Sequence, residues 1–272
     1  MAPTEWMFKG YNGSRFACEW SVAGPRYVVV ISHGYGEHIG RYTDLSRDLN
    51  RSGAVVIGAD HAGHGRSAGT RVSIDDLDDV AHDLSQLITH ARGRYRDLPV
   101  TLIGHSLGGL VATRYAQIHP GGVDRLVLSS PVLGRWRPVE RLLQMDALPD
   151  APLPAELLSR DPEVGRSYAA DPLVWHGGFH RHTLQAIGTA LERSNGGPKL
   201  DHIPVLWVHG TDDRLVPLDG TRVGFDNVFG ADVIAHHFDG ARHELFNEVN
   251  RQEVVARVVD FVTAAEDSVA RR

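Results

Sequence analysis

One cysteine stands among 272 residues, so no disulfide can form within the chain and nothing ties it to an oxidising compartment. That residue, Cys18, lies in the alternating run RFACEWS and reads as a strand position, not a reactive thiol. Long apolar runs are missing as well. The longest is YVVVI, far short of the roughly 20 residues that a membrane-crossing helix needs. The stretch MAPTEWMFKGYNG lacks the basic-then-apolar profile of a secretory leader. Lysine is scarce: only Lys9 and Lys199 among 28 basic residues, a bias expected of a G+C-rich coding sequence more than of function. The net charge of −6 provides no basic face for nucleic acid. A soluble cytoplasmic protein that does not bind nucleic acid is the expectation.

What is present is ordinary globular material, 42% hydrophobic, in a chain long enough for one large α/β domain. EWMFK and RFACEWS flank Asn12-Gly13 and predict a hairpin. Buried strands and amphipathic helices then alternate. YVVVIS, AVVIGA, VTLIG, RLVLSS, PVLWVHG and DVIAHHF read as strands, and YTDLSRDLNRSG as a helix closed by Gly53. Ile74, Leu77, Val80, Leu84, Leu87, Ile88 and Ala91 recur at helical spacing, with Ser73 as the expected cap and Asp76 three residues on. GGLVATRYAQIH is a helix stopped by Pro120, and EVVARVVDFVTAAE closes the chain. Such alternation implies a mainly parallel sheet covered by helices on both faces. From Pro131 to Lys199 the strand signal stops, and proline and short helical pieces take over. The expected organisation is a core of residues 1–130 and 200–272, interrupted by a helical cap or lid at 131–199.

Two stretches fit G-x-S-x-G: GRSAG around Ser67 and GHSLG around Ser106. A nucleophile elbow needs a strand end before it, a helix start after it and small residues on either side. Ser106 meets each condition. Ser67 follows a glycine-rich loop and precedes no helix, so it reads as a turn or capping hydroxyl. A serine needs a base and a group to hold that base, expected in the chain order Ser, acid, His. TDDRLVP follows a strand and offers Asp212 and Asp213, while DGARHELF follows the last strand and offers His243. The order Ser106, Asp213, His243 fits, with Asp212 as the alternative acid one position earlier. Two backbone N–H groups should form an oxyanion site: that of Leu107 and that of Tyr35 in SHGYGEHIGRY, where Gly34 and Gly36 let the chain turn. His33 would orient that loop.

At these residues the chain resembles the monoacylglycerol lipase family of α/β-hydrolases. SHGYGEHIGRY, DHAGHGRSAG, GHSLGG, LSRDPEVGRSYAADPL and HGTDDRLVP are similar to that family's motifs and occur in its order. The resemblance implies an α/β-hydrolase fold, hydrolysis of monoacylglycerols without a cofactor or metal, Asp213 as acid and His243 as base; the alternatives are a broader carboxylesterase or lysophospholipase with the same triad, or a non-catalytic receptor on a hydrolase fold. It implies that Ser67 is a loop residue, and that Glu37, Arg41 and Tyr168 approach the glycerol moiety. Two departures stand out. Leu107 follows the nucleophile where methionine is common, and Tyr35 replaces a smaller residue, which would narrow the glycerol end. The segment from Pro131 to Leu158 is also shorter than the family's lid.

Weaker signals are set aside. HPGGVD, from His119 to Asp124, spans a helix end and a turn. His176, His180 and His182 lack neighbouring ligands at metal spacing, and His236 and His237 point to opposite faces of a strand. In GRWRPVERLLQMDALPDAPLP, Trp136, Val139, Leu142, Leu143 and Met145 intersperse with Arg135, Arg137 and Arg141. That mixture predicts a lid helix over an acyl tunnel, making weak peripheral contact with membranes. The alternative is a helix packed wholly on the core.

Overall fold

The computed structural model describes residues 2–264. The strands are β1 Thr4–Gly10, β2 Gly13–Trp20, β3 Tyr27–Ser32, β4 Ala54–Ala59, β5 Val100–His105, β6 Arg125–Ser129, β7 Val205–Gly210 and β8 Val233–Phe238. The helices are α1 Thr43–Arg51, α2 Leu77–Arg94, α3 Leu107–Ile118, α4 Arg137–Leu143, α5 Pro162–Ala170, α6 Arg181–Gly196, α7 Leu218–Val228 and α8 Arg251–Thr263. The closing run predicted to reach Glu266 thus extends, at Ala265 and Glu266, beyond the described residues. No helix among the described residues is long and apolar enough to cross a membrane.

The strands form one sheet in the order β1-β2-β4-β3-β5-β6-β7-β8, antiparallel at β1–β2 and β2–β4 and parallel elsewhere. Successive strand side chains point to opposite faces, and both faces are apolar. Val28, Val30, Leu102, Leu126 and Trp207 pack on one side with residues of α2, α3, α6 and α7. Val29, Ile31, Ile103, Val127 and Val208 pack on the other with α1 and α8. Each such side chain contributes about 1.5–3 kcal/mol on burial. This two-sided burial explains why the strands read as unbroken apolar runs.

The chain reverses direction across the sheet at β3, whose neighbours are β4 on one side and β5 on the other. In open α/β sheets a crevice forms at such a switch point, beyond the carboxyl ends of the strands. The loops after β3 and β5 meet there. Residues 131–199 lie between β6 and β7 and carry α4, α5 and α6 with no strand among them.

Two local expectations need correction. The hairpin turn is Tyr11-Asn12, and Gly13 opens β2 with φ of 97°, since Gly10 pairs directly with Gly13. Helix α2 starts at Leu77, not beside Ser73. The Asp76 carboxylate caps it by accepting from Asp78 N–H at 2.9 Å, while the Ser73 hydroxyl pairs with His182. A carboxylate next to the helix start also suits the helix dipole, which the serine hydroxyl cannot match.

Candidate active site

Ser106 occupies the one-residue gap between β5 and α3 with φ of 53° and ψ of −119°, a strained conformation for a residue with a side chain. Its carbonyl accepts from Gly109 and Val132 N–H, and its own N–H donates to Ser129 O, all at 3.0 Å. Strand and helix can approach so closely only because glycines line the turn. A Cβ on Gly108 would collide with the Ser32 and His33 carbonyls, and one on Gly104 would lie 2.8 Å from Gly109 Cα. Leu107 is the first residue of α3, where backbone N–H groups have no partner within the helix. Ser67 is engaged elsewhere: its hydroxyl donates to Asp60 O at 2.6 Å and accepts from Phe16 N–H at 3.0 Å.

Asp213 lies three residues beyond β7 and His243 five beyond β8. The structure brings them together, His243 Nδ1 lying 2.8 Å from Asp213 Oδ2, with both residues buried. The other oxygen of Asp213 accepts from Leu215 and Val216 N–H at 3.0 and 2.9 Å. Burial opposes the Asp213 charge, but the fields and hydrogen bonds of His243 and His209 outweigh it and hold the carboxyl below its usual range. Asp212, by contrast, pairs with the exposed Arg214 at 3.0 Å. It does not approach His243 through any contact of this kind.

His209 and Trp207 were not singled out from sequence. The Trp207 indole N–H donates to His209 Nδ1 at 3.1 Å, so the His209 proton sits on Nε2. That N–H points to Val216 O at 2.8 Å and Asp213 Oδ2 at 3.4 Å. The sequence signals were its place at the head of HGTDDRLVP and an i, i+4 spacing from Asp213 at a strand end. His105 is a second addition. Its ring lies 4.8 Å from that of His243, and burial together with His243 pushes it down to about 4, so it stays neutral beside that ring.

Burial also works against a charged His243, but Asp213, Glu244 and Glu37 reverse the balance and raise it above the ordinary 6.5. A general base must be unprotonated to act. A raised value keeps it protonated to higher pH, so kcat/KM is expected to fall as pH drops through a midpoint above 6.5. A pH–rate profile on a soluble ester checks this, and a midpoint at or below the ordinary 6.5 contradicts it.

Ser106 and His243 face a cavity of about 160 Å³. One wall is apolar: Trp136, Leu142, Leu153, Leu158, Phe179 and Leu215. Tyr35 belongs to that wall, its ring stacked on Phe179 at 4.4 Å. Glu37, Tyr168 and Glu244 add polar groups to the lining. Arg41 bonds Glu37 at 2.8 Å and Glu244 at 2.6 and 2.8 Å, and lies 4.9 Å from the Tyr168 ring centroid. Glu244, also missed from sequence, thus joins the three residues that the resemblance had grouped. The LSRD segment meets the same region from residues 131–199. Leu158 O accepts Glu244 N–H at 2.7 Å, and Arg160 pairs with the buried Glu248 at 3.0 Å.

The remaining histidines fall outside this cluster. His180 and His182 bond Arg71 O and Ser73, and among the described residues no group of three or more His, Cys, Asp or Glu could hold a metal ion. His119 rests on the Tyr115 ring at 4.9 Å while Asp124 accepts from Val100 N–H, far from the cavity lining.

Comparison with known proteins gives the family. The family model described as serine aminopeptidase, S33, a hydrolase family, matches residues 23–250. The monoacylglycerol lipase of Mycolicibacterium smegmatis is 35% identical over 96% of this chain and 97% of its own. Human monoglyceride lipase is 32% identical over 88% of this chain and 82% of its own. The crystal structure of Paleococcus ferrophilus monoacylglycerol lipase superposes with a TM-score of 0.77 at 28% identity, covering 97% of this chain and 99% of that one. The chain therefore belongs to the monoacylglycerol lipase family of α/β-hydrolases and is a serine hydrolase.

Proposed function

We propose that the protein hydrolyses monoacylglycerols to glycerol and a free fatty acid through an acyl-enzyme on Ser106. The observation that carries this reading is one cavity with an apolar wall and polar groups in its lining, into which Ser106 and the Asp213-paired His243 both face. Ser106 Oγ attacks the ester carbonyl while His243 takes its proton, then returns it to the leaving glycerol oxygen. Asp213 orients His243 and stabilises its charged form. The N–H groups of Leu107 and Tyr35 bind the oxyanion. A water activated by His243 then releases the fatty acid, and this chemistry needs no cofactor. Glu37, Arg41 and Tyr168 border the glycerol.

In this reading residues 131–199 are the cap, and α4 is its lid. Val139 is buried and Leu142 and Leu143 are half-buried, so α4 packs more closely than its composition suggested, and Leu142 faces the cavity. Of the apolar residues proposed for membrane contact, Met145 is the exposed one. Arg135 and Arg137 are paired with Glu140 and Asp219, which weakens their pull on anionic lipid. Any membrane contact is therefore peripheral and centres on Met145.

A substrate panel tests the proposal. One acyl chain fills the apolar wall, each buried methylene contributing about 0.8 kcal/mol, and the polar groups leave no room for a second. Monoacylglycerols should be cleaved much faster than di- or triacylglycerols. Two carboxylates on one guanidinium leave the Glu37–Arg41–Glu244 group with a net charge of −1. With Arg214 of the cavity lining paired to Asp212, a phosphorylated head group placed against that group should be disfavoured by roughly tenfold or more, a repulsion of about 1–3 kcal/mol. Met145→Ser should slow only the vesicle-presented long-chain ester. Equal rates on lysophosphatidic acid and monoacylglycerol of the same chain would contradict the substrate assignment.

A further inference from the structure

We infer that Glu37 is a positioning residue for the oxyanion site, acting through Gly34 on the peptide that presents the Tyr35 N–H. The inference rests on the serine-hydrolase reading above and deepens it. Glu37 is buried, and its carboxylate is occupied by the protein itself. Oε1 accepts Gly34 N–H and the Tyr42 hydroxyl, both at 2.6 Å, and Oε2 accepts Arg41 at 2.8 Å. Such charge-assisted bonds are about twice as strong as neutral ones. Gly34 itself lies against the nucleophile. A Cβ placed on it would fall 3.2 Å from Ser106 Cβ and 3.0 Å from Glu37 Oε1. The Gly34 backbone is therefore held between the reacting serine and the carboxylate.

The other side of Gly34 is held too. His33 Nε2 accepts His61 N–H at 2.9 Å, which leaves Nδ1 to donate to Gly34 O at 2.8 Å. In a planar trans peptide the N–H points opposite to the C=O. Fixing the Gly34 carbonyl and N–H therefore aims the Tyr35 N–H with no freedom left in the turn. Glu37 extends this hold across the site. Through Arg41 it is tied to Glu244, the neighbour of His243, so one buried ion group braces the oxyanion loop against the loop of the base. The orientation of Tyr35 N–H and the placement of His243 are mechanically linked.

A residue that only bound glycerol would behave differently, and that difference is the test. Glu37→Met and Glu37→Gln are compared on a monoacylglycerol and on p-nitrophenyl butyrate, whose leaving group has no glycerol hydroxyls. Misplacing reacting groups by about 1 Å costs on the order of a hundredfold. The Met variant is expected to lose ten- to a hundredfold in kcat on both esters, with KM within about twofold. Gln, whose amide oxygen still accepts Gly34 N–H, should recover most of that loss. The inhibition constant of butylboronic acid, a tetrahedral mimic without glycerol, should rise in step with the fall in kcat/KM. A loss confined to the monoacylglycerol, or carried by KM, overturns the inference, as does a folded Met variant that loses nothing. If the Met variant does not fold, the Gln variant decides by whether its losses on the two esters are equal or restricted to the glycerol ester. Fluorophosphonate labelling of the unaltered protein keeps the two readings apart: absence of labelling refutes the serine-hydrolase reading, whereas labelling with a folded, fully active Glu37→Met variant refutes only this one.

Discussion

Ser106→Ala is expected to lower kcat by on the order of a millionfold, the scale seen when a triad serine is removed from a comparable hydrolase. Ser106 is the one serine or threonine in the cavity lining. Ser67→Ala should leave turnover unchanged. The Ser67 hydroxyl joins Asp60 O to Phe16 N–H, so its loss should cost about 1 kcal/mol of stability and nothing at the reacting centre. Labelling by a fluorophosphonate, read alongside kcat, checks both. Labelling that survives Ser106→Ala but disappears with Ser67→Ala would reverse the assignment.

Asp213→Asn is expected to lose roughly ten-thousandfold, and Asp212→Asn almost nothing. The Asp213 carboxylate holds the His243 proton on Nδ1, leaving Nε2 free to accept from the serine. An amide nitrogen turned toward Nδ1 would favour the opposite tautomer, the origin of a loss of about that size in a serine protease. An amide oxygen turned there would keep the tautomer but lose the charge that supports the imidazolium. Asp212 makes an ion pair with the exposed Arg214, an arrangement generally contributing less than about 1 kcal/mol. The measurement is kcat/KM for both variants, with folding verified by thermal melts. Equal losses would mean that Asp213 is not the acid.

The proposed acid shows where reading the chain alone ran out. Adjacent aspartates after a strand have the same composition, spacing and polarity, and the motif located the acid only to within a position. The choice is made by the turn: Asp213 N–H bonds back to Gly210 O, directing one side chain inward and leaving the other in solvent. Glu244 and His209 escape such a reading for a related reason. A glutamate beside a histidine, or a histidine at a strand end, carries no periodic signal. Their meaning arises only from partners about 200 residues away in one case and from a buried indole in the other.

Local chemistry carried much of the rest. The unbroken apolar strands, the helical repeats and the glycines around Ser106 follow from short-range sterics and burial, which are written in consecutive residues. That made the mainly parallel sheet and the strand–turn–helix geometry around Ser106 legible from sequence. Tertiary structure decided which groups share the crevice at the β3 switch point and how their hydrogen-bonding capacity is divided. Glu37 illustrates the limit. From sequence it could only be grouped with glycerol contacts by resemblance, whereas in the fold its oxygens hold Gly34, Tyr42 and Arg41. Hydrogen-bond partners separated by long stretches of chain are set by the packing of the sheet, and no local pattern encodes them.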